Sequence, residues 1–350
     1  MTRPVRRVAV VGASSQIGRF LLPRLRQARF EAAAIGRGAR EPDAGAGAVH
    51  VYEPGSGRFV PPLASADALV NLAPLPIIDQ VVEMARSLGV SRMIAFGSSG
   101  RFSKQDAEAE IERDFVAQQI AAEEAYRRLA EASGIAWTLF RPTMVYGAGL
   151  DLNVAFIRRF IRQFHCFPVP IGAHGLRQPV HADDLAAACV AALDCRPSFG
   201  RAYNLGGGET LDYPAMVRRL FRAEGRTPIL LPVPLRFYRA AIRTARRWPR
   251  FAFVTEDMAA RAFRDLIVDH ADAVRDFGYA PRGFFSSHRH CVQGDLKAGA
   301  GRRPVMLAWA HAQPHPPSVA CPKPPPGPRI QDLQAGGCRR RVRIRPIRPQ

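Results

Sequence analysis

The sequence predicts an α/β fold built on a doubly wound parallel sheet. Up to about residue 145, short apolar runs alternate with amphipathic segments of helical spacing. Strands that alternate with helices are joined by right-handed crossovers and become parallel neighbours in one sheet. Several runs are apolar throughout, as in strands that are buried on both faces. The stretch VAVVGASSQIGRF at residues 8–20 adds a strand, a glycine turn and a helix start. Together these features predict a Rossmann-like core.

The elements follow from these patterns in chain order. Apolar runs predict strands at 8–11, 31–35, 48–52, 68–72, 92–96 and 137–140. Amphipathic spacing predicts helices at 16–28, 77–88 and 107–133. Beyond about residue 150, helical patterns dominate and are broken by prolines (Pro168, Pro170, Pro214, Pro228, Pro232 and Pro234). This change predicts a small, mainly helical C-terminal lobe on the substrate side.

The chain divides into one domain at 1–285 and a tail at 286–350. The predicted Rossmann core covers about 6–150, and the chain returns to this core near 178–206. The predicted lobe covers about 150–177 and 207–285. The tail is rich in proline and arginine and has little periodicity. Such a segment buries too little apolar surface to offset its ordering entropy, so we expect it to be disordered. A frameshifted segment and a nucleic-acid-binding arm are the alternatives.

Net charge bears on the partners of the protein. The chain carries a net charge of +20, which is compatible with nucleic-acid binding. Residues 285–350 contribute twelve Lys or Arg and only two Asp, and the whole chain has only three lysines. A bias towards arginine of this kind is typical of a GC-rich genome. Nucleic-acid binding is therefore the last-ranked interpretation.

Other features bound the class of protein. No apolar run reaches 18 residues, so no membrane-spanning helix is expected. The short apolar stretch after the basic N-terminus is better explained as a strand than as a signal peptide. The six cysteines form no C-x-x-C pair, and no cluster has metal-ligand spacing. We therefore expect reduced thiols, a cytoplasmic location and no metal. Residues 229–251 combine apolar side chains with six arginines, which predicts either peripheral membrane contact or an ordinary lobe helix with one solvated face.

The glycine turn predicts a dinucleotide site. Gly12 permits a tight turn after the first strand, and Gly18 lets the following helix pack closely on that strand. The N–H groups of the first helical turn then face an anion such as a pyrophosphate. The cofactor-binding candidates in this loop are Gly12, Ser14, Ser15, Gln16, Ile17 and Gly18. A purely structural strand–glycine–helix turn is the alternative.

The end of the second strand bears on which cofactor is bound. An acidic residue there would bind the ribose 2′-hydroxyl of NAD. This strand instead runs into Arg37 and Arg40, with no carboxylate before Glu41. A guanidinium makes bidentate bonds to a 2′-phosphate, so NADP(H) is favoured over NAD(H). The alternative is that both arginines belong to a solvated loop.

Several segments, in order, resemble an extended or atypical short-chain dehydrogenase/reductase of the NAD-dependent epimerase/dehydratase type. They are VVGASSQIG, ALVNLAP, IAFGSSG, FRPTMVYG, QPVHADDLAAA and YNLGGGETLDYPAM, and the resemblance covers about 6–285. It implies that Ala73 lies along the adenosine and ribose, and that Pro142 and Val145 lie beside the nicotinamide. It also implies that Ser98 and Ser99 occupy the position of the catalytic hydroxyl.

One expected feature of that family is missing. Its redox members use Tyr-x-x-x-Lys, yet none of the seven tyrosines is followed four residues later by lysine. Aligning the family's Ala-Glu with Ala122-Glu123 places Phe115 at the tyrosine position and Gln119 at the lysine position. Phenylalanine has no ionisable proton, and glutamine carries no charge that would lower a pKa.

Three functional hypotheses remain. The first is an oxidoreductase or epimerase of unknown substrate that uses other groups, with Ser98, Ser99, Tyr146, His165, His174 and His181 as candidates. Sugar nucleotides, quinone-like carbonyls and sterol- or flavonoid-like ketones are all possible substrates. The second is a dinucleotide-binding structural, sensor or assembly protein, because residues 158–186 resemble the dehydrogenase-like accessory subunit of respiratory complex I. The third is nucleic-acid binding through the tail.

Overall fold

The apolar runs of the sequence form one central sheet and several short strand pairs. The computed structural model describes residues 5–36, 49–53, 58–60, 62–103, 110–151, 153–245, 247 and 260–285. All of them belong to the first of two units, Met1–Arg302 and Arg303–Gln350. The predicted disordered tail, Arg37, Arg40, and residues 246 and 248–251 of the basic stretch lie outside the described residues.

The described strands form one main sheet of eight strands and three two-stranded pairs. In chain order all the strands are β1 Arg7–Val11, β2 Glu31–Gly36, β3 Val49–Glu53, β4 Arg58–Val60, β5 Ala68–Asn71, β6 Arg92–Phe96, β7 Ala136–Pro142, β8 Val145–Tyr146, β9 Phe167–Pro170, β10 Leu176–Arg177, β11 Val180–His181, β12 Arg201–Leu205, β13 Leu211–Asp212 and β14 Leu230–Val233. The spatial order of the main sheet is β4-β3-β2-β1-β5-β6-β7-β12. All neighbours are parallel except β3 and β4. The strand order reverses between β1 and β5, and ligands of such sheets bind at this point, beyond the carboxyl ends of the strands.

Three of the helices lie where amphipathic spacing predicts them, namely α1 (Gly18–Gln27), α2 (Ile78–Ser87) and α4 (Glu110–Ala132). In chain order they are α1 Gly18–Gln27, α2 Ile78–Ser87, α3 Gly100–Ser103, α4 Glu110–Ala132, α5 Val154–Phe164, α6 Ala182–Leu193, α7 Tyr213–Ala223, α8 Leu235–Ala245 and α9 Ala271–Phe277. The prediction that the first helix begins at residue 16 was wrong by two residues, because residues 12–17 form the turn that precedes it. None of the described helices combines the length and apolar character needed to cross a bilayer.

The core lies on both faces of the sheet. Along β1, Val8 and Val10 pack with Leu21 and Leu25 of α1 on one face. Ala9 and Val11 alternate with them and join the opposite cluster, which contains side chains of α2 and α4. Because both faces are covered, β1 reads as a continuous apolar run. Complete burial of one large aliphatic side chain stabilises a fold by about 1.5–3 kcal/mol.

The C-terminal lobe has its own apolar cluster. Ile157 and Ile161 of α5 pack there with Phe167 of β9 and with Met216 and Phe221 of α7. Short strand pairs accompany the helices, namely β8–β11, β9–β14 and β10–β13.

Three lobe prolines do not break helices as the sequence pattern predicted. Pro168 and Pro170 lie in β9, and Pro232 lies in β14. Among the described residues these strands form a two-stranded parallel pair, so each has one edge without a partner strand. A proline lacks a backbone N–H but is tolerated where that position faces away from a partner strand.

An ion-pair network joins distant parts of the chain. Arg24 of α1 donates to both carboxylate oxygens of Asp183 at 2.5 and 2.8 Å. Arg282 donates to Asp183 at 2.6 Å and to Asp184 at 2.7 Å. Asp183 and Asp184 lie in the first turn of α6, where negative charge is favoured by the helix dipole. The network therefore ties α1 and the segment around Arg282 to the start of one helix.

Arg92 of β6 is a buried arginine. It donates to the carbonyls of Ala192 and Leu193 at the end of α6, at 2.8 and 3.1 Å, and to the hydroxyls of Thr138 and Ser198. Burial lowers its pKa to about 10, so the side chain stays charged at neutral pH. A cation at a helix C-terminus is favourable, and Arg92 joins α6 to the sheet.

Candidate active site

The turn after β1 lies at the point where the strand order reverses. Gly12 has a φ of +75°, and a Cβ there would lie 3.0 Å from the backbone nitrogen of Ala73, just after β5. The Gly12 N–H donates to the Ile35 carbonyl of β2 at 3.1 Å, and the Ser15 N–H donates back to the Gly12 carbonyl at 2.9 Å. The structure therefore brings Gly12 and Ala73 into contact, and only glycine fits this backbone without strain.

The start of α1 has the features of an anion site. A Cβ on Gly18 would lie 2.2 Å from the carbonyl oxygen of Ala13, so glycine is required here too. The Gly18 N–H donates to the Ser15 hydroxyl at 3.2 Å. The Nε2 atom of Gln16 is buried without a hydrogen-bond partner among the described residues. The first turn contains no acidic residue. A helix N-terminus of this kind, with an unpaired donor beside it, fits a pyrophosphate.

Ser14 and Ile17 complete the predicted loop. Ser14 is exposed, and Ile17 is half-buried and packs against the core under α1. Asn71, which the sequence reasoning missed, holds the neighbouring segment in place. Its side chain is fully buried, and its Oδ1 accepts a hydrogen bond from the Ala73 N–H at 3.1 Å. The sequence signal for Asn71 is an amide side chain at the last position of an otherwise apolar strand.

Ser98 and Ser99 follow β6 and lie beside the end of β7. The Ser99 N–H donates to the Pro142 carbonyl at 3.0 Å, and the Gly97 N–H donates to the Phe140 carbonyl at 2.8 Å. The Ser98 hydroxyl accepts a hydrogen bond from the Gly100 N–H at 3.1 Å, and both serines are half-buried. The structure thus places the two serines and Pro142 together at the carboxyl edge of the sheet.

Phe115 and Gln119 lie one turn apart on α4. Phe115 is half-buried and Gln119 is buried. One turn further on, the Oε2 atom of Glu123 accepts hydrogen bonds from the Nε and Nη2 atoms of Arg141 at 2.9 and 2.8 Å. Arg101 of α3 binds the same oxygen. These contacts fix α4 against the carboxyl ends of β6 and β7.

The space around Glu123 is tight. Its second oxygen, Oε1, is buried with no hydrogen-bond partner among the described residues. A Cβ on Gly97 would lie 2.6 Å from this oxygen, so Gly97 makes room for the carboxylate. The sequence reasoning used Glu123 only to align the helix and missed its ion pairs. A glutamate inside a buried helix face and an arginine inside an apolar strand are signals that would have suggested the pairing.

Val145 and Tyr146 form β8, which pairs with Val180 and His181 of β11. Tyr146 is only 2% exposed, and its ring packs against His181, Phe284 and Phe285 at centroid distances of 5.0, 4.9 and 5.2 Å. The ring also lines a small recess together with Asp151 and Arg158. Burial raises the pKa of Asp151 above its ordinary range.

The three candidate histidines lie in different places. His181 is buried, and its Nδ1 accepts a hydrogen bond from the Asp183 N–H at 3.1 Å, so it caps α6. His165 ends α5 in a left-handed conformation and is exposed. His174 has a side chain 74% exposed, with its Nδ1 3.8 Å from Asp212. The structure therefore does not bring the histidines together.

The described residues hold no group of three or more His, Cys, Asp or Glu side chains that could bind a metal ion. Cys166, Cys189 and Cys195 are free thiols. Burial raises the pKa of the Cys189 thiol, which makes this cysteine unreactive at neutral pH.

Solved structures share this fold. The UDP-glucose 4-epimerase of Thermus thermophilus, solved in complex with NAD, has a TM-score of 0.59 and 18% identity, covering 84% of this chain and all of the other. An NADPH-dependent quinone oxidoreductase from Escherichia coli has a TM-score of 0.58 and 17% identity, covering 79% of this chain and 96% of the other. At these identities the similarity concerns the fold.

Sequence comparison identifies the family. A curated UDP-glucose 4-epimerase of Vibrio cholerae is 28% identical over 172 residues, 49% of each chain, so the match spans about half of that relative's length. The sequence model of the NAD-dependent epimerase/dehydratase family matches residues 8–206. This range contains the glycine turn, both serines, α4 and the β8–β11 pair, and it covers more than half of the chain. The chain therefore belongs to the NAD-dependent epimerase/dehydratase family.

Proposed function

We propose that the protein binds a nicotinamide dinucleotide at the turn between β1 and α1. The observation that carries this proposal is the placement of Gly12 and Gly18, which both require glycine, where the strand order reverses. The pyrophosphate would face the N-terminus of α1 and the amide of Gln16. The adenosine half would lie along Ala73, and the nicotinamide half would lie near Pro142 and Val145. When bound, the cofactor would supply hydride transfer.

NADP(H) is the cofactor we favour. β2 ends at Gly36, so Arg37 follows directly after the strand, where a carboxylate would select NAD. A guanidinium at this position would favour a 2′-phosphate. The structural neighbours include one protein solved with NAD and one NADPH-dependent enzyme, so the preference rests on the arginines of this chain.

The reaction class we propose is oxidoreduction or epimerisation of a carbonyl-forming substrate. Ser98 and Ser99 carry hydroxyls directly after β6, and they would orient a substrate oxygen. Gln119 would donate a hydrogen bond to a ribose hydroxyl but would supply no charge. UDP-sugars and quinones, which appear in the names of similar proteins, are the first substrates to test.

A second candidate is a protein that binds the cofactor without turning it over. Phe115 favours this candidate, because a phenyl ring at the tyrosine position has no proton to transfer. The burial of Tyr146 in an aromatic cluster adds to it. A structural, sensing or assembly role would then depend only on whether the site is occupied.

Calorimetry with NADP⁺, NADPH, NAD⁺ and NADH tests the binding site. We expect binding, with the NADP forms tighter. Gly12→Ala should weaken binding at least tenfold, because its Cβ would crowd Leu72 and Ala73. Gly134→Ala is the matched control: Gly134 also has a positive φ, of +66°, but nothing lies within 4 Å of its Cβ position. Lack of binding at millimolar concentration of all four forms would reject both candidates.

Substrate turnover separates the two candidates. The protein is mixed with NADP⁺ and UDP-glucose or UDP-glucuronic acid, or with NADPH and a short-chain quinone, and the absorbance at 340 nm is followed. A change in absorbance, or an epimer detected by chromatography, supports the enzyme. Tight binding with no reaction across the panel supports the cofactor-binding protein without turnover.

A further inference from the structure

We infer that the lobe carries a surface that docks on anionic lipid membranes. The surface, called the lobe patch below, consists of Ile171, Leu231, Phe237 and Phe263 with Arg236, Arg243 and Arg247. Its apolar members are exposed by 57%, 44%, 55% and 39%, respectively. Large exposed apolar side chains that occur together mark interaction surfaces.

Backbone contacts bring the apolar members close to one another. The Ile171 N–H donates to the Val233 carbonyl at the end of β14, at 3.0 Å. The Phe237 N–H donates to the Pro234 carbonyl, so the first turn of α8 begins next to Ile171. Phe263 lies 3.6 Å from the Cβ position of Gly172.

The helix in this patch has two different sides. Ile242 is buried, and Tyr238, on the same side, packs inwards against Tyr213. Burial raises the pKa values of both tyrosines. Arg236, Phe237, Arg243 and Arg247 are exposed. The Arg236 guanidinium lies over the Phe237 ring at 4.7 Å. A basic and an aromatic group are thus displayed together on the outer side of α8.

The segment that contains β14 and α8 carries charge of one sign. Between Glu224 and Glu256 the sequence contains seven arginines and no Asp or Glu. Anionic headgroups attract such a segment, while the aromatic and aliphatic side chains enter the boundary between headgroups and acyl chains. Long arginine side chains reach the phosphates while their stems stay on the apolar surface.

The charge and the exposed apolar groups favour a membrane over other occupants. A nucleic-acid backbone offers phosphates but no apolar phase that would take up Ile171 and Phe237. A second copy of this chain would bring two positive surfaces together, which is unfavourable. The lipid surface is the occupant that complements both features.

Vesicle sedimentation with the full chain tests this inference. The probes are vesicles of phosphatidylcholine alone and vesicles with about 30% phosphatidylserine, at low and high salt. We expect binding to the anionic vesicles only, weakened by high salt. Arg236→Gln with Arg247→Gln should weaken binding at least about tenfold. Phe237→Ser and, independently, Ile171→Ser should each weaken it severalfold.

The matched control removes the same charge elsewhere. Arg86 and Arg128 are exposed on α2 and α4, and Arg86→Gln with Arg128→Gln should leave vesicle binding within about twofold of the wild type. Equal losses in the control and patch variants would overturn the inference, because binding would then reflect net charge. The inference would also be overturned if the protein did not bind vesicles at all. It would be overturned as well if the patch arginines controlled only the binding of DNA, or if the protein formed a dimer that Phe237→Ser dissociates.

Discussion

Arg141 donates two hydrogen bonds to a single oxygen of Glu123, while the other oxygen of that carboxylate is buried without a partner among the described residues. Arg101 contacts the same oxygen as Arg141. One buried carboxylate therefore balances two guanidinium groups next to the predicted cofactor and substrate region. Removing the negative charge of Glu123 should therefore destabilise this cluster.

Glu123→Gln should destabilise the protein by about 3 kcal/mol, because it leaves two largely buried cations without a counter-charge. Urea unfolding followed by circular dichroism measures the change. Glu124→Gln is the matched control, since Glu124 pairs with Arg127 on the exposed face of the same helix. Equal unfolding midpoints for the two variants would contradict a role for the buried cluster.

Arg92→Met should destabilise the protein by about 3 kcal/mol, because the carbonyls of Ala192 and Leu193 would lose their donors in a buried site. Chemical unfolding at neutral pH gives the value. Arg86→Met replaces an exposed arginine with the same residue and should change the stability little. If both variants unfold at the same urea concentration, Arg92 does not join α6 to the sheet.

Tyr126 predicts how stability depends on alkaline pH. It is completely buried and donates to the Met93 and Thr138 carbonyls, and burial raises its pKa above the ordinary value of 10. Above pH 10 the unfolded chain loses the phenolic proton while the folded protein keeps it. The tyrosine's contribution is therefore complete below pH 10 and falls as the pH rises, by about 1.4 kcal/mol per pH unit.

Tyr126→Phe isolates that contribution. At pH 7–9 the difference in unfolding free energy between wild type and variant should be constant. Above pH 10 the wild type should lose stability faster, so that the difference shrinks. A difference that stays constant up to pH 11.5 would mean that Tyr126 ionises equally in both states.

Gln119→Lys tests the alignment of α4 with the cofactor. A lysine at this position would donate a charge-assisted hydrogen bond to a ribose hydroxyl, and we expect about tenfold tighter cofactor binding by calorimetry. Gln118→Lys adds the same charge one residue away on the exposed face of α4 and should leave the affinity nearly unchanged. If both variants bound the cofactor equally more tightly, the gain in affinity would come from net charge alone. Gln119 would then not lie next to the ribose.

The sheet was largely predictable from the sequence because its central strands are buried on both faces. A continuous apolar run such as β5 or β6 has no other stable position in a domain of this kind. β4 and the short lobe strands were missed, because two to four residues show no periodicity. Pro168 and Pro232 also misled the prediction, since only the partner strand determines whether a proline lies on a free edge.

The candidate site was predictable where backbone conformation determines it. Gly12 and Gly18 are required by the turn itself, and the carboxyl ends of parallel strands necessarily bring Ala73 near Gly12. Side-chain pairings were not predictable. Glu123 and Arg141 are 18 residues apart in the chain, and their contact depends on how α4 lies across the sheet. The specific roles of Ser98, Ser99 and Tyr146 remain predictions.

The ion-pair network around Asp183 has a consequence for synthesis of the protein. Arg24 is translated early, its partner Asp183 follows 159 residues later, and Arg282 comes another 99 residues after that. At 5–20 residues per second, roughly 13–50 s pass between the first and last of these arginines. During that interval α1 lacks the packing that α6 provides and the ion pair with Asp183. Folding of the N-terminal helix on the ribosome is therefore completed only when nearly the entire domain has emerged.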